Sequence, residues 1–440
     1  MTDAFDLLRA QLRGIKTAQA VGKISSMGRD CVTVSGLDRV AALGDRVRFS
    51  PEVSGEILAM EEGRARVMPE GPADGFRLGA AVTHLGPPTI SPHDSWLGRV
   101  IDPDGAPMDG RAILPGPVAY PLVTPPPPPA ARRGLGDRLQ TGFAAFDTLL
   151  PIVQGQRVGL FAGSGVGKSR LTAALSEGMT ADVVVIGLIG ERGREVRDFV
   201  SETLGPEGLA RAVVVAATSD RPTLTRARAA HAMMAVAEYF RDQGRNVLVL
   251  ADSITRFAEA QRDVAAAAGE PFGPSGFPAS MAQTIMSLAE RAGPGAGTQG
   301  DITAIFSVLV AGSDMEGPVA DIMRGTLDGH IVLSREIAER GRYPAIDLLR
   351  SVSRSLPNAA SAEENKMILR ARHLLGAYDR AEMMLQAGLY TPGTDPVTDG
   401  AVTVWSDLDA FIGSAAAVDI GQTFNELRKI LSAADVPVGK

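Results

Sequence analysis

The chain has 440 residues, of which 45% are hydrophobic and 22% are charged, and its formal net charge at pH 7 is −7. This composition is that of an ordinary globular protein with about three domains. Its acidic balance argues against an overall electrostatic attraction to nucleic acid or acidic lipid, and leaves open a local basic patch. The single cysteine, Cys31, excludes an internal disulfide and argues against a structural zinc site. Since the chain shows neither a signal segment nor a long apolar run, we expect a soluble, cytoplasmic protein that meets membranes only through partners.

Residues 1–20 carry apolar side chains among charges at roughly helical spacing, which predicts a short amphipathic helix over residues 4–20. The apolar positions are Phe5, Leu7, Leu8, Leu12 and Ile15. A helix this short has too little core to stand alone. It either packs on the next domain or serves as a docking segment for a regulatory protein.

Residues 21–90 consist of short alternating runs separated by glycine turns, and this texture predicts a small antiparallel β-barrel. Small barrels of this kind often bind oligonucleotides, but that function needs exposed aromatic side chains in a basic groove. Phe49 and Phe76 are nearly the only aromatic residues here. We therefore interpret the barrel as structural.

Residues 91–356 form the predicted central domain. The proline-rich segment 121–134 within it is predicted to be an extended connector that lies on the rest of the domain. Apolar strands then alternate with helical stretches, which indicates a mostly parallel sheet covered on both faces. The predicted strands are 158–161, 183–189, 213–217, 247–252 and 303–310. The glycine-rich segment 292–300 is predicted to be a mobile loop. In such sheets, ligands bind at the carboxyl ends of the strands.

The first of these strands runs into a glycine-rich turn that ends in Lys168-Ser169 and opens a helix, which is the pattern of a phosphate-binding loop. Its backbone N–H groups and the helix N-terminus would hold a polyphosphate. Lys168 would reach the β- and γ-phosphates, and Ser169 would bind Mg²⁺. Ala162 stands where a first glycine is usual, which a negative φ would permit. The candidate nucleotide-binding residues are Gly163, Ser164, Gly165, Val166, Gly167, Lys168, Ser169 and Arg170.

Carboxylates follow two further strands. Asp252 ends the strand 247–252 and would serve a Mg²⁺ ion opposite Ser169. Glu191 follows the strand 183–189 and is the candidate group that orients water for attack on the γ-phosphorus. Glu195 is a competing carboxylate in the same stretch. A solvated charge cluster with the neighbouring arginines is the alternative interpretation of this stretch.

After residue 357 the chain becomes helical to its end at 440. We predict helices over 359–376, 378–387 and 410–434, with a break at 393–396. The alternating charges near residues 363–372 indicate a solvated face. The predicted fold is therefore an α/β core of mostly parallel strands that carries the phosphate-binding loop, with an N-terminal β-barrel at 21–90 and a C-terminal α-helical domain at 357–440.

Seven ungapped segments together give the chain a resemblance to the rotary-type ATPase family. This family includes the catalytic subunits of F- and V-type ATP synthases, and the likeness is closest to its branch in the flagellar type III protein export apparatus. The resemblance extends from about residue 20 to the end of the chain, and it implies that the α/β core is a RecA-like P-loop NTPase. Its segments are 161–169, 190–195, 251–262, 268–271, 327–335, 343–347 and 351–354.

The resemblance implies roles for individual residues. Glu191 matches the catalytic glutamate and Arg192 the arginine beside it, while Lys168, Ser169 and Asp252 match the phosphate and Mg²⁺ groups. It also implies that ATP and Mg²⁺ are the ligands.

The resemblance assigns two more residues that lie after the sheet motifs. Tyr343 matches the aromatic residue that stacks on adenine. Arg354 matches an arginine that reaches the γ-phosphate of the neighbouring subunit. Since this chain carries counterparts of both the catalytic glutamate and this arginine, a ring of identical copies could have a site at every interface, and we predict a homohexamer.

The resemblance also implies partners: the flagellar export gate, a stalk protein, negative regulators, and export chaperones with their substrates, at the inner face of the cytoplasmic membrane. Segments 273–280 and 313–321 resemble pore-lining segments, which contact a polypeptide or pack between subunits. An injectisome ATPase is the nearest alternative function. An RNA-translocating helicase is disfavoured by the acidic balance and the aromatic-poor barrel, and a non-catalytic ring subunit is disfavoured by the presence of Glu191.

Overall fold

The computed structural model of the protein describes residues 18–49, 53–310 and 315–434. Residues 18–20 form no helix or strand, and the remainder of the predicted N-terminal helix lies outside the described residues, as does part of the segment 313–321. In the described ranges, no helix is both long enough and apolar enough to cross a membrane.

The N-terminal strands close into a barrel of six antiparallel strands, as the alternating sequence predicts, in the order β1-β2-β5-β4-β3-β6. The strands are β1 (Val21–Met27), β2 (Val32–Ser35), β3 (Arg46–Phe49), β4 (Ser54–Glu61), β5 (Arg64–Pro69) and β6 (Ala81–Gly86). Alternate side chains point inward and form a small core of their own. Phe49 is buried in that core and stacks on Phe76 with ring centroids 4.6 Å apart. Phe49 therefore offers no surface on which a nucleic acid base could stack.

The central domain is an eight-stranded sheet in the order β16-β15-β10-β14-β13-β11-β12-β8. All neighbouring strands are parallel except β15 and β16, which are antiparallel. Helices cover both faces, and this explains the nearly uninterrupted apolar runs of the central strands. In chain order the elements are β7 (Thr89–Ile90), β8 (Arg99–Ile101), β9 (Tyr120–Pro121), α1 (Ala144–Asp147), β10 (Arg157–Ala162), α2 (Lys168–Gly178), β11 (Val183–Ile189), α3 (Gly193–Asp198), α4 (Gly205–Ala210), β12 (Ala212–Ala217), α5 (Thr223–Asp242), β13 (Val247–Asp252), α6 (Ile254–Ala268), α7 (Ser280–Glu290), β14 (Ile302–Leu309), α8 (Pro318–Thr326), β15 (Gly329–Leu333), α9 (Arg335–Glu339) and β16 (Ile346–Ser353).

A buried guanidinium joins the barrel to the central domain. Arg228 of α5 keeps only 3% of its side chain exposed and pairs with Glu70 at 2.5 Å, Asp104 at 3.2 Å and Glu56 at 3.4 Å. Burial raises the pKa of Glu56, and the charge of Arg228 opposes that rise. Because a buried charge is costly without its partners, this network favours a single arrangement of barrel and core.

The proline-rich connector lies against the central domain and forms a contact with the glycine-rich loop 292–300. Arg133 donates hydrogen bonds to the carbonyl oxygens of Gly297 at 2.8 Å and Gln299 at 2.7 Å, and it also pairs with Asp301. The loop forms no helix or strand, as its composition predicts, but these contacts tie it to the connector.

Three helices end the described chain, and their boundaries correct the predicted ones. They are α10 (Ala362–Gln386), α11 (Pro396–Gly413) and α12 (Ile420–Ala433). The division of α10 into two helices was wrong, since it runs straight through Gly376, which packs near Leu349 of the sheet. A single interior glycine costs only about 1 kcal/mol, which such packing can offset.

Helix α11 was missed in the predicted set, and the predicted final helix was wrong to run across the break at 414–419. The stretch 393–396 was interpreted as a break between helices, and its last residue, Pro396, is the first residue of α11. Asp395 is the N-cap, and its carboxylate accepts hydrogen bonds from the backbone N–H of Val397 at 3.2 Å and Thr398 at 3.1 Å. Pro396 occupies the first helical position, where a missing N–H costs nothing.

Candidate nucleotide-binding site

The glycine-rich turn after β10 has the backbone of an anion-binding nest. Gly165 and Gly167 have φ of 79° and 86°, a region that favours glycine, and α2 begins at the next residue, Lys168. The helix N-terminus therefore points its free N–H groups at the turn. Ala162 is the last residue of β10 and is not among the residues with positive φ, so its methyl group fits without strain.

The acidic end of β13 meets this nest. The Lys168 ammonium contacts the buried carboxylate of Asp252, and the Ser307 hydroxyl donates a hydrogen bond to the same oxygen, Oδ1, at 2.8 Å. Ser307 lies on β14, the strand between β10 and β13. The predicted proximity of Lys168 and Asp252 is therefore present in the fold, and the Ser307 contact is an addition that the sequence did not reveal.

Glu191 stands directly after the turn that follows β11, and its carboxyl is electrostatically perturbed. Burial raises the pKa of Glu191 to about 7, with a further rise from the negative charge of Asp252 and from its hydrogen bond with Glu195. That hydrogen bond lowers the pKa of Glu195. The two carboxyls thus share a proton, which sits on Glu191 below neutral pH. A carboxyl with a pKa near the working pH, at a phosphate nest, is suited to proton transfer.

The pH dependence of turnover should reveal this shared proton. We expect kcat/KM for ATP to fall about tenfold per pH unit as the pH drops through about 7, because protonated Glu191 cannot accept a proton from water. Burial and Asp252 still raise the pKa of Glu191 in Glu195→Gln, but the contribution from Glu195 is lost, so the acidic limb should move to lower pH. Steady-state phosphate release across the pH range measures both. A limb that stays in place in Glu195→Gln would instead report titration of the phosphates of the substrate.

The nest opens into a cavity of about 780 Å³, which is large enough for a nucleotide. Its lining residues are Gly163, Ser164, Gly165, Gly167, Lys168, Ser169, Arg170, Gly190, Glu191, Arg192, Glu195, Ser219, Arg226, Thr255, Arg256, Glu259, Leu309 and Val310. The structure thus brings most of the predicted site residues to one surface. Arg192 lines it with its side chain 82% exposed, and it pairs with Glu195 at 3.4 Å.

Arg226 and Arg256 were missed in the sequence. Arg226 lies in the first turns of α5, and Arg256 lies in the first turn of α6. Both helices follow strands that end at the nest. This position in the sequence could have identified the two arginines as candidate site residues. The buried Nε atom of each has no hydrogen-bond acceptor among the described residues. Arg256 pairs with Glu259 at 2.9 Å, also in the cavity wall. Guanidinium groups in the wall of a cavity favour an anionic ligand such as a polyphosphate.

The oxygen donors of the site also fit Mg²⁺. Ser169 follows Lys168 at the start of α2, and Asp252 contacts the ammonium group of that lysine. In the described residues, no cluster of three or more histidine, cysteine or acidic side chains could hold a metal by itself. Mg²⁺ does not require such a cluster, because it commonly binds one or two protein carboxylates and completes its coordination shell with phosphate and water.

Tyr343 lies directly over the nest. A Cβ atom on Gly167 would come within 3.2 Å of Cδ1 and Cε1 of the Tyr343 ring, so ring and loop are in contact. The side chain is 52% exposed. An exposed aromatic ring beside a phosphate nest is placed where the base of a nucleotide could stack on it.

Arg354 lies far from this cavity. It follows β16, its N–H donates to the carbonyl oxygen of Asp328 at 3.0 Å, and Asp328 in turn pairs with Arg157 at the start of β10. The nest follows the other end of β10, so six strand residues, about 20 Å, separate the two. The exposed guanidinium donates to the carbonyl oxygen of Arg324 at 3.1 Å, at the end of α8. Within one protomer, Arg354 cannot reach the nest.

Comparison with protein families places most of the chain. Residues 142–353 match the ATP synthase alpha/beta family, nucleotide-binding domain. Residues 360–429 match the type III secretion EscN ATPase C-terminal domain. The first match contains seven of the eight strands of the central sheet, with the nest, Glu191, Asp252 and Tyr343. The second covers α10, α11 and most of α12.

Individual relatives are similar over nearly their full lengths. A flagellum-specific ATP synthase of Caulobacter vibrioides is 44% identical over 96% of this chain and 98% of the relative. A type 3 secretion system ATPase of Pseudomonas syringae pv. syringae is 44% identical over 82% of each chain. The assembled ATPase EscN from the enteropathogenic E. coli type III secretion system superposes with a TM-score of 0.85 at 37% identity, covering 93% of this chain and all of that one. EscN has also been solved in complex with its central stalk EscO, with a TM-score of 0.85 at 38% identity and the same coverage.

Proposed function

Because this chain belongs to the ATP synthase alpha/beta family, we propose that the cavity at the carboxyl edge of its sheet binds ATP with Mg²⁺ and hydrolyses it to drive type III protein export. The family match and the ATPases among its relatives make ATP hydrolysis its activity. The observation that carries the site assignment is the placement of Glu191, with its raised pKa, beside Lys168 and Asp252 at an open phosphate nest.

The nest residues 163–169 would hold the β- and γ-phosphates through backbone N–H groups. Lys168 would turn its ammonium from Asp252 to the γ-phosphate oxygens, where it stabilises developing negative charge. The Ser169 hydroxyl and the Asp252 carboxylate would hold Mg²⁺, directly or through water. When bound, the ion supplies further charge neutralisation at the phosphate oxygens.

Glu191 would orient the attacking water in its ionised form and accept its proton, and Glu195 would then adjust the affinity of Glu191 for that proton. Arg192 would stand beside it at the mouth of the cavity, and Arg170 would flank the phosphates. Tyr343 would stack on the adenine. Glu191 follows β11 and Tyr343 precedes β16, and these two strands lie on opposite sides of β10 in the sheet. The attacking water would therefore lie on the β11 side of the nest.

Arg354 would serve the nest of a neighbouring copy, since it lies about 20 Å from its own. Such a head-to-tail contact uses two different surfaces of each protomer and closes into a ring at one rotation. We propose a homohexamer with a site at every interface. The solved assembled form of the relative EscN, and its complex with the stalk EscO, support a ring with a central stalk protein.

The remaining partners belong to this proposal as well. They are the export gate, negative regulators, and export chaperones with their substrates, met at the inner face of the cytoplasmic membrane without nucleic acid. The domain division at residues 20, 90 and 356 also remains a proposal, with the helical domain as the part nearest the stalk.

We favour the flagellar branch of export, because the relative similar over 96% of this chain is a flagellum-specific ATP synthase. The injectisome branch is the second candidate, since a type 3 secretion system ATPase is equally identical and EscN shares the fold. Deleting the gene in its host separates them. We expect loss of swimming and of flagellar filament protein from the medium, restored by the intact gene. Normal swimming with loss of other secreted proteins would assign the injectisome branch.

A further inference from the structure

The loop that carries Tyr343 is shaped by the residue before it. Arg342 donates hydrogen bonds from Nη1 to the carbonyl oxygen of Pro344 and from Nη2 to that of Ile346, each at 2.9 Å. Only 11% of its side chain is exposed. The guanidinium therefore lies inside the turn and fixes the backbone that follows the tyrosine, and the Tyr343 ring contacts the phosphate nest at Gly167.

Helix α11 of the C-terminal domain holds this guanidinium from outside. Arg342 Nε lies 3.0 Å from Oδ1 of Asp409, an ion pair whose angle is too bent for a hydrogen bond. One turn further along α11, Gly413 packs so closely that a Cβ atom there would lie 3.1 Å from Cγ of Arg342 and 3.2 Å from the carbonyl oxygen of Tyr343. The helix thus touches both residues of the loop.

The ion pair matters because Arg342 is removed from water. Burial lowers the pKa of its guanidinium, and the charge of Asp409 counters that effect. Removing one partner of a buried pair leaves the other charge uncompensated, which costs far more than the loss of an exposed pair. Loss of Asp409 should therefore release the guanidinium from its place in the turn.

We propose that Arg342 and Asp409 are positioning residues for the nucleotide base, through which the C-terminal helices hold Tyr343 over the phosphate nest. This inference rests on the proposed stacking of Tyr343 on adenine. It makes the affinity for the base, and not the affinity for the phosphates, depend on how α11 sits against the core. A displacement of α11 would then loosen adenine while the polyphosphate stays bound.

The test compares two ligands on the full-length protein by calorimetry. ADP uses both the base contact and the nest, whereas inorganic tripolyphosphate uses the nest alone. Tyr343→Ala should weaken ADP about tenfold or more, the worth of one base stacked on an aromatic ring. Asp409→Asn and Arg342→Met should each weaken ADP about three- to tenfold. All three should bind tripolyphosphate as the unaltered protein does.

Asp407→Asn is the matched control. It removes an exposed carboxylate from the same helix, one with no ion pair among the described residues, and should leave both affinities unchanged. The double variant of Arg342→Met with Asp409→Asn should bind ADP no more weakly than Arg342→Met alone, since both changes break one pair. In steady-state hydrolysis the single variants should raise KM for ATP and keep kcat within about twofold.

The outcomes separate the inference from the proposed function. If Tyr343→Ala weakens ADP but Asp409→Asn and Arg342→Met do not, the stacking role stands and the positioning role is wrong. If Tyr343→Ala leaves ADP binding unchanged, the stacking role and the inference both fail. Equal weakening of ADP and tripolyphosphate would mean general damage to the fold and would also overturn the inference. Asp409→Asn keeps Arg342 and decides the matter even if Arg342→Met does not fold.

Discussion

Replacing Arg354 by alanine is expected to lower kcat of the assembled ring by about 10³ to 10⁵, the usual worth of an arginine that reaches a transferring phosphoryl group from another subunit. Among the described residues, the exposed guanidinium makes a single side-chain hydrogen bond, to a carbonyl oxygen of α8. Its removal should therefore leave the protomer folded. Arg350→Ala, an exposed arginine on the same strand, is the control and should change kcat by no more than about twofold.

Mixing two inactive variants tests the trans placement directly. In a mixed ring, a protomer with Arg354→Ala still carries an intact nest, and a neighbour with Lys168→Met still carries an intact Arg354. Random mixing in equal amounts should complete about a quarter of the interfaces and restore that fraction of phosphate release. Mixtures that stay as inactive as their components, in rings shown to contain both, would remove the proposed role of Arg354.

The second large effect concerns the nest itself. Lys168→Met should lower phosphate release at saturating ATP by about 10³ or more, because the charge developing on the γ-phosphate loses its nearest protein cation. The change also removes the ammonium group that pairs with the buried carboxylate of Asp252. The nucleotide-free protein should therefore unfold at a lower temperature. Binding of Mg²⁺ and ADP should restore part of the lost melting temperature.

An exposed lysine provides the comparison for this change. Lys366→Met alters a solvated position on α10 and should leave turnover and melting temperature unchanged. Circular dichroism establishes that each variant is folded before phosphate release is measured. Turnover of Lys168→Met within about tenfold of the unaltered protein would exclude the nest as the hydrolytic site.

The central strands and the nest could be predicted because their signals are local. A strand buried on both faces has a nearly continuous apolar sequence, and the carboxyl ends of parallel strands lie at the same edge of the sheet. That rule was enough to bring Lys168, Asp252 and Glu191 together. The barrel was equally legible, since each strand alternates and each turn contains glycine.

Contacts between residues that are far apart in the chain could not be predicted from the sequence in this way. Nothing near Arg342 in the sequence points to Asp409, 67 positions later, and no spacing shows that Glu191 and Glu195 share a proton. The unpaired Nε atoms of Arg226 and Arg256 become apparent only once α5 and α6 are packed. Helix α11 was missed because an Asp-Pro pair breaks one helix pattern and starts another, and only packing decides between the two.

The placement of Arg354 and the nest at opposite ends of one sheet has a consequence for assembly. On the proposed mechanism, each protomer offers half of a catalytic centre on one flank and the complementary half on the other, so a row of protomers has a direction. Two copies related by a twofold axis would bring identical flanks together and complete no centre. On the proposed mechanism, the smallest hydrolytic unit is a pair joined head to tail with one working pocket, and only closure of the circle leaves no half unused.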